Sequence, residues 1–353
     1  MKISKNIAIL LSCLTTVFNV NAQTAGSTEN QEQILNLYSS RHYQTDEKLY
    51  SDFTKFTGIK INRLDTDDNA LLERLKSEGK NSQADVILMT DASRLWKAEA
   101  NDLFLPVKSK ILDSKIPENL RGKDSGEGVK WYGFSTRARV IVYNKNLVKA
   151  GEVDTYDKLA EPQNKGKVCT RSASHPYMMS LLSSIIEQKG EEGAAVWAKG
   201  MADNLAKPPK GGDIDQIRSV ASGECGVALT NSYYYARLML SPKQEDKDVV
   251  AKTTLIWPNQ STNGTHVNVA GGGIAKYSPH KANAVKFLEY LASDSAQKYF
   301  AEGNNEWPVV KGVAVDNAAL KSLGTFKQQA VNIAAIGMNQ VKAQKILDKV
   351  GYK

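Results

Sequence analysis

The sequence predicts an α/β fold made of two lobes, and three features of its pattern support this prediction. From residue 34 onward, short apolar runs alternate with polar loops and amphipathic helical stretches, the order that builds a sheet covered by helices. The alternation starts a second time after a β-branched run at residues 133–144. Without residues 1–22, about 330 residues remain, which is more than one core usually holds.

Residues 1–22 have the pattern of a signal peptide. Lys2 and Lys5 form a basic start, an apolar stretch follows, and Val20-Asn21-Ala22 has the small residues of a cleavage site. Cys13 offers the alternative of a lipidated N terminus, although the apolar run continues past it. No later stretch is apolar enough to predict a membrane helix, so we expect a protein exported to the periplasm.

The first series of elements alternates between strands and helices. Strands are predicted at residues 34–38, 59–64 and 84–89. A helix is predicted behind Asp46 as its cap, because Leu49, Phe53 and Phe56 recur at helical spacing. A second helix is predicted at residues 69–77.

The second series begins with the strand at residues 133–144. Further strands are predicted at residues 167–170, 225–230 and within 265–277, and further helices at 214–222, 282–291, 295–302 and within 318–350. Pro176 is expected to be the first residue of another helix. The three glycines at 271–273 lack the spacing of a dinucleotide loop and indicate a turn or a close approach of backbone.

This order places two hinge segments between the lobes. The first lobe is expected to contain residues 23–134 and 267–313, and the second lobe residues 135–266 and 314–353. Because the chain crosses near residue 135 and returns near 267, the cleft between the lobes is the natural ligand site.

Composition argues for a binding protein. The net charge of +8 is spread among interleaved Lys, Asp and Glu, which indicates a solvated surface and no nucleic-acid partner. The sequence contains no HExxH, CxxC or phosphate-loop motif and no evident set of nucleophile, base and orienting residue, so we do not expect an enzyme. Cys169 and Cys225 are expected to form a disulfide after export, with two buried free thiols as the alternative.

Tyrosines follow three of the predicted strands. They are Tyr43, Tyr177 and the run Tyr233, Tyr234 and Tyr235. Core packing alone is one explanation of the run, but ligands in α/β proteins collect beyond the carboxyl ends of strands. Adjacent residues in the first turn of a helix also reach one point beyond its end, whereas adjacent strand residues point apart. We therefore expect Tyr233 and Tyr234 to share a ligand, with Tyr235 in packing or support.

Converging phenols point to a hard cation. A phenol has a pKa of about 10, so several phenolates need a strongly charged ion to form together. Oxygen anions suit hard cations, and tyrosinate is a known Fe(III) ligand, which leads to Fe(III) as the expected ion. Four phenolates on a trivalent ion leave one negative charge to offset. Candidate charge partners are Arg41, Arg137, Arg139 and Arg237.

The histidines give a weaker signal. His42 adjoins Tyr43, and whether it adds a nitrogen ligand stays open. His175 precedes Pro176 and is expected to cap the helix, while His266 and His280 show no metal spacing.

Several segments together resemble the periplasmic ferric-iron-binding proteins of ABC transporters, in particular the cyanobacterial Fut type. The segments are SSRHY, WYGFSTRARVIVYN, SHPYMMSL, KPPKGGDIDQI, NSYYYARL and NNEWPVV. The resemblance implies a type II solute-binding fold that closes on one Fe(III) and passes it to an inner-membrane permease. The ligands implied are Tyr43, Tyr177, Tyr233 and Tyr234, with His42 as a variable fifth ligand and Arg137 or Arg237 as charge partners.

Two positions depart from the family pattern. Relatives that use a bound anion have a carboxylate near the first motif, where this chain offers Asp46 and Glu47 at a helix start. An anion-dependent site is therefore less expected. His175 before Pro176 is also unusual and leaves the pose of Tyr177 open.

Two alternatives remain from the sequence. The same fold can capture an organic or oxyanion solute, with Arg137 pairing its charge. An exported enzyme with a tyrosine-iron redox centre is the other. Whether the protein binds iron or an organic or oxyanion solute, we expect it to be a monomer.

Overall fold

The computed structural model describes residues 33–41, 43–330 and 332–353. The predicted signal peptide, Cys13 and His42 lie outside the described residues. The strands are β1 (Ile34–Ser39), β2 (Lys60–Asp65), β3 (Val86–Met89), β4 (Phe104–Leu105), β5 (Tyr132–Asn144), β6 (Val168–Cys169), β7 (Val227–Asn231), β8 (Thr253–Ile256), β9 (Val267–Ala275) and β10 (Trp307–Pro308). The helices are α1 (Asp46–Thr57), α2 (Asp68–Glu78), α3 (Ala92–Ala100), α4 (Lys110–Lys115), α5 (Tyr156–Leu159), α6 (Pro176–Asp203), α7 (Asp213–Ser222), α8 (Ser232–Met239), α9 (Gln244–Lys252), α10 (Lys281–Leu291), α11 (Asp294–Asn304), α12 (Ala318–Leu323), α13 (Ile333–Met338) and α14 (Gln340–Val350).

The strands form one mixed sheet whose centre is the pair β5 and β9. The main order is β2-β1-β3-β9-β5-β7-β6, with β1 parallel to β2 and β3 at one end and β6 parallel to β7 at the other. The first half of β5 pairs antiparallel with β9, and its second half pairs with β7. One long β-branched strand therefore runs through both halves of the sheet.

The apolar side chains form two main cores. One core holds the helices beside β1 and β3 and includes Phe134 of β5 and Val269 of β9. The other holds α6 and β7 and includes Ile141 of β5. The C-terminal helices divide in the same way, since α13 packs in the first core and α14 in the second. The expected lobe boundaries at residues 134, 266 and 313 stay predictions.

Local signals placed most elements correctly. The predicted strands at residues 34–38, 133–144 and 225–230 are confirmed to within two residues, as is the helix start at Pro176. The single helical stretch predicted at residues 318–350 is instead three separate helices, α12, α13 and α14, and the described residues between α12 and α13 are not helical. Among the described residues, none of the helices combines the length and the apolar character needed to cross a membrane.

Three local predictions were wrong in detail. Asp46 is the first residue of α1 and not its cap, because its carboxylate is bound to the Arg41 guanidinium. Phe56 is 87 % exposed and does not belong to the buried face of α1. The glycines at 271–273 lie inside β9 and not in a turn. The close backbone approach is confirmed there, because a Cβ at Gly272 would overlap the Ile87 carbonyl of the neighbouring strand.

The predicted disulfide between Cys169 and Cys225 is present. The two cysteines are buried with Val220 and Ala228 in a small cluster of their own. The bridge joins β6 to the turn between α7 and β7, so it fastens the edge of the sheet beside the second core.

Candidate metal site

Each of the four tyrosines of the expected site stands just beyond a strand. Tyr43 follows β1, Tyr177 is in the first turn of α6 after β6, and Tyr233 and Tyr234 open α8 directly after β7. The start of α6 is set by Pro176 at its first position and by His175. As expected, His175 caps this helix: its Nδ1 accepts a 3.3 Å hydrogen bond from the Tyr177 amide.

The structure brings these tyrosines together from three places in the chain. The phenol oxygens of Tyr177 and Tyr233 lie 3.0 Å apart. The rings of Tyr233 and Tyr234 lie against each other, with centroids 4.2 Å apart. Tyr43 lies close enough to interact electrostatically with Tyr177 and Tyr234. Four phenols therefore face one region at the sheet edge.

Burial makes three of these phenols, Tyr43, Tyr177 and Tyr233, hard to ionise. Loss of water raises the pKa of Tyr177 and of Tyr233 well above the usual value, and repulsion between neighbouring phenolates raises each pKa further. Burial also raises the pKa of Tyr43, with the Glu306 carboxylate as the next contribution. Tyr43, Tyr177 and Tyr233 therefore keep their protons at neutral pH unless a cation displaces them. Such a site favours an ion of high charge over a monovalent ion, because only a highly charged ion stabilises several phenolates at once.

Arg137 supplies a buried positive charge beside the phenols. Its side chain is 2 % exposed, and within the described part of the chain none of its three guanidinium nitrogens has a hydrogen-bond partner. The guanidinium lies 5.8 Å from the centroid of the Tyr177 ring. A buried cation without hydrogen bonds is costly, so an anionic group that accepts hydrogen bonds from it, such as phenolate, is favoured.

The other three candidate arginines differ from Arg137. Arg139 pairs with Asp213 at 2.6 Å, and Arg41 with Asp46 at 3.0 Å, so both charges already have carboxylate partners. Arg237 is exposed on α8, with its guanidinium 5.6 Å from the centroid of the Tyr234 ring. Arg137 is thus the candidate whose charge is least satisfied by the protein itself.

Glu306 was not singled out from the sequence. It is buried between Arg41 and Arg137, accepts hydrogen bonds from Arg41 and from Ser135 Oγ, and lies 3.8 Å from the Arg137 Nη1. Its segment, NNEWPVV, has no periodicity and no motif that would mark an acid there. The pairing of β10 with β5 brings Glu306 to this place, and sequence spacing does not reveal that pairing.

The remaining residues near the site behave as packing or support. Tyr235 is buried, and its hydroxyl donates to the Thr253 carbonyl at 3.1 Å, which confirms its expected role. In the part of the chain that the structure describes, no three His, Cys, Asp or Glu side chains cluster so as to hold a metal. A metal at this edge would depend on phenol oxygens.

Comparison with known proteins identifies the family. Residues 48–328 match the family model described as bacterial extracellular solute-binding protein. The chain belongs to this family. It is 45 % identical to iron uptake protein A1 of Synechocystis over 92 % of this chain and 89 % of the relative.

Solved structures agree with this assignment. A Trichodesmium FutA (IdiA) structure in complex with iron and citrate has a TM-score of 0.86 and 49 % identity, covering 91 % of this chain and all of that chain. A ferric binding protein from Campylobacter jejuni has a TM-score of 0.84 and 40 % identity, covering 90 % of this chain and all of that chain. The predicted two-lobed type II solute-binding fold is confirmed by these neighbours. The family is one of transport proteins, and the lack of an enzymatic activity stays a prediction.

Proposed function

We propose that this protein is the periplasmic substrate-binding component of an iron ABC transporter. It binds one Fe(III) in the cleft between its lobes and delivers the ion to a membrane permease. The observation that carries the proposal is the convergence of four phenols beside a buried arginine whose guanidinium has no hydrogen-bond partner among the described residues. The iron-uptake names of the relatives and the iron complex of the Trichodesmium neighbour support it.

The proposed ligands are the phenolate oxygens of Tyr43, Tyr177, Tyr233 and Tyr234. Each phenol gives up its proton when the ion arrives, because a trivalent charge outweighs the cost of burying phenolate. The Arg137 guanidinium offsets the single negative charge that four phenolates leave. Arg237, on the exposed side of α8, has a lesser share in this charge balance, and His42 is a possible fifth ligand.

The proposed lobes meet at the two central strands. The proposed boundaries place residues 23–134 and 267–313 in one lobe and residues 135–266 and 314–353 in the other, with α13 of the last segment packed against the first core. Tyr43 then comes from the first lobe and the other three phenols from the second, so binding the ion holds the lobes closed. Opening of the lobes separates Tyr43 from the rest and exposes the ion for transfer.

Visible absorption tests the ligand set directly. Protein loaded with ferric citrate is expected to show a broad phenolate-to-iron band, and the double variant Tyr233→Phe/Tyr234→Phe is expected to lose it. Tyr235→Phe is the matched control. It removes a hydroxyl from the same helix, but this hydroxyl donates a hydrogen bond to the Thr253 carbonyl and is not a proposed ligand. A colourless, iron-free wild-type protein would refute the proposal, and unchanged iron retention in the double variant would place the site elsewhere.

The Arg137 guanidinium, which has no hydrogen-bond partner among the described residues, also favours a second candidate, a solute-binding protein for an organic anion or an oxyanion. In that case Arg137 pairs with the anion and the phenols donate hydrogen bonds to it. Calorimetry with citrate or phosphate in the absence of iron separates the two functions. Tight binding of the anion alone, unaffected by added Fe(III), would favour this candidate.

A further inference from the structure

The Asp91 carboxylate, at the start of α3, is completely buried. In the described part of the chain it has no Lys, Arg or His partner within ion-pair distance, and all its hydrogen bonds come from neutral donors. The donors are Ser93 N at 2.8 Å and Ser93 Oγ at 2.6 Å, Ser180 Oγ at 2.9 Å to one oxygen and 3.2 Å to the other, and Asn268 Nδ2 at 2.8 Å. Hydrogen bonds to a charged acceptor are roughly twice as strong as neutral ones.

The donors belong to three parts of the fold. Ser93 lies in α3 itself, whose apolar face packs in the first core. Asn268 lies in β9, opposite Arg137 of β5, where the chain passes between the two cores. Ser180 lies in α6, between Met178 and Leu181 of the second core. The Asp91 carboxylate thus links α3 of the first core and α6 of the second core to β9, the strand that passes between the two cores.

Ser180 is also placed to act on the metal site. It stands three residues after Tyr177 in α6, which is about one turn of the helix. The Asp91 contact therefore holds the first turn of α6, and the phenol it carries, against the part of the protein that contains β1 and Tyr43.

We propose that Asp91 is a positioning residue that latches the closed form of the protein through Ser180. The proposal rests on the proposed iron-binding function, since it concerns how long the ion stays in the cleft. A contact made only when the lobes are closed raises the closed fraction, and the apparent affinity rises with that fraction. The latch slows release of the ion without being one of its ligands.

Ser93 provides a matched control for Ser180. Both serines are buried and both hydroxyls donate to the same Asp91 oxygen, but Ser93 does so within α3 and Ser180 does so between the two cores. Removing either hydroxyl leaves the carboxylate with the Asn268 amide and a remaining serine donor, so neither variant strands a buried charge. A purely structural role for Asp91 predicts similar effects of the two variants.

The experiment compares Ser180→Ala with Ser93→Ala. Each protein is loaded with Fe(III), and the decay of the visible band is followed after addition of excess chelator. Ser180→Ala is expected to release iron about tenfold faster than wild type, the effect of losing one hydrogen bond to a charged group, with the band position and iron stoichiometry unchanged. Ser93→Ala is expected to release iron at close to the wild-type rate. Equal rates for Ser180→Ala and wild type, or equal acceleration in both variants, would overturn the latch.

Small-angle X-ray scattering tests the latch without relying on the visible iron band. The radius of gyration of the iron-free protein is expected to be larger for Ser180→Ala than for wild type and Ser93→Ala, because fewer molecules are closed. If wild type shows no iron band, the proposed function fails, and the scattering comparison still decides the latch. Asp91→Asn serves as a second variant should Ser180→Ala fold poorly, and it is expected to open the protein in the same direction.

Discussion

Glu306 and Arg137 lie side by side beneath the tyrosines, with 3.8 Å between the carboxylate and the guanidinium and both side chains almost completely buried. Glu306 also binds Arg41, whose guanidinium lies 4.9 Å from the centroid of the Tyr43 ring. One carboxylate thus sets the charge around two arginines that face the phenols. Its own charge opposes the formation of phenolate at Tyr43.

The first prediction concerns Glu306→Gln. Because the carboxylate raises the pKa of Tyr43, removing its charge lowers that pKa and makes the phenolate easier to form. Iron is therefore expected to stay bound to a lower pH, by about half a unit, than in wild type. A pH titration of the phenolate-to-iron band measures the shift.

Glu99→Gln is the control for Glu306→Gln, since Glu99 accepts a hydrogen bond from Trp131, a residue of the first core. Its iron-release midpoint is expected to match wild type. A shift to higher pH in Glu306→Gln would mean that the carboxylate matters chiefly for holding Arg41 and Arg137 in place.

The second prediction is that iron binding releases protons. The raised pKa values of Tyr43, Tyr177 and Tyr233 keep these phenols protonated in the iron-free protein at pH 7. Binding displaces one proton from each, so affinity rises with pH across the neutral range and falls as pH is lowered. Measurement of pH in a weakly buffered solution counts the protons. Tyr177→Phe is expected to release one fewer, and an unchanged count would exclude Tyr177 as a ligand.

The third prediction concerns the buried guanidinium of Arg137. Arg137→Met removes a buried charge that has no hydrogen-bond partner among the described residues, while Glu306 keeps Arg41 and Ser135. The iron-free protein is expected to become more stable by about 1 kcal/mol, whereas iron retention falls by at least about tenfold. Thermal unfolding without iron measures the gain in stability, and the additional stabilisation on adding iron measures the loss in iron binding.

Arg237→Met is the comparison for Arg137→Met. Arg237 is exposed, so water screens its charge and the effect on iron retention is expected to be small. If Arg237→Met lost more iron than Arg137→Met, Arg237 and not Arg137 would be the main charge partner of the phenolates.

The fourth prediction concerns the disulfide. Cys169 and Cys225 are 56 residues apart, and a crosslink across that length restricts the unfolded chain. The double variant Cys169→Ala/Cys225→Ala is expected to lose about 2–4 kcal/mol of unfolding free energy, measured by urea denaturation. The phenolate-to-iron band is expected to keep its position, because the bridge lies with Val220 and Ala228, apart from the tyrosines. A shifted band would show that β6 and β7 need the bridge to place their tyrosines.

Local pattern was enough to predict most of the elements and the location of the tyrosines. Alternating apolar runs and Pro176 mark where strands and helices begin, and each tyrosine follows a strand by a few residues. The local predictions that were wrong depend on contacts that the pattern of neighbouring residues does not reveal. Asp46 faces Arg41 and so does not cap its helix. Residues 271–273 lie in a strand because β9 pairs with β3 and β5, and they are glycines because the neighbouring backbone leaves no room for a Cβ.

By itself, the sequence determined the α/β order, the two series of elements and the three strand ends that carry phenols. These follow from periodicities and caps that act over a few residues. Only the tertiary structure decided which arginine faces the phenols without hydrogen bonds, that Glu306 lies between two arginines, and that Asp91 reaches Ser180. The partners in the Glu306 and Asp91 contacts are separated by 89 residues or more along the chain, and only the packing of the sheet brings them within hydrogen-bond or ion-pair distance.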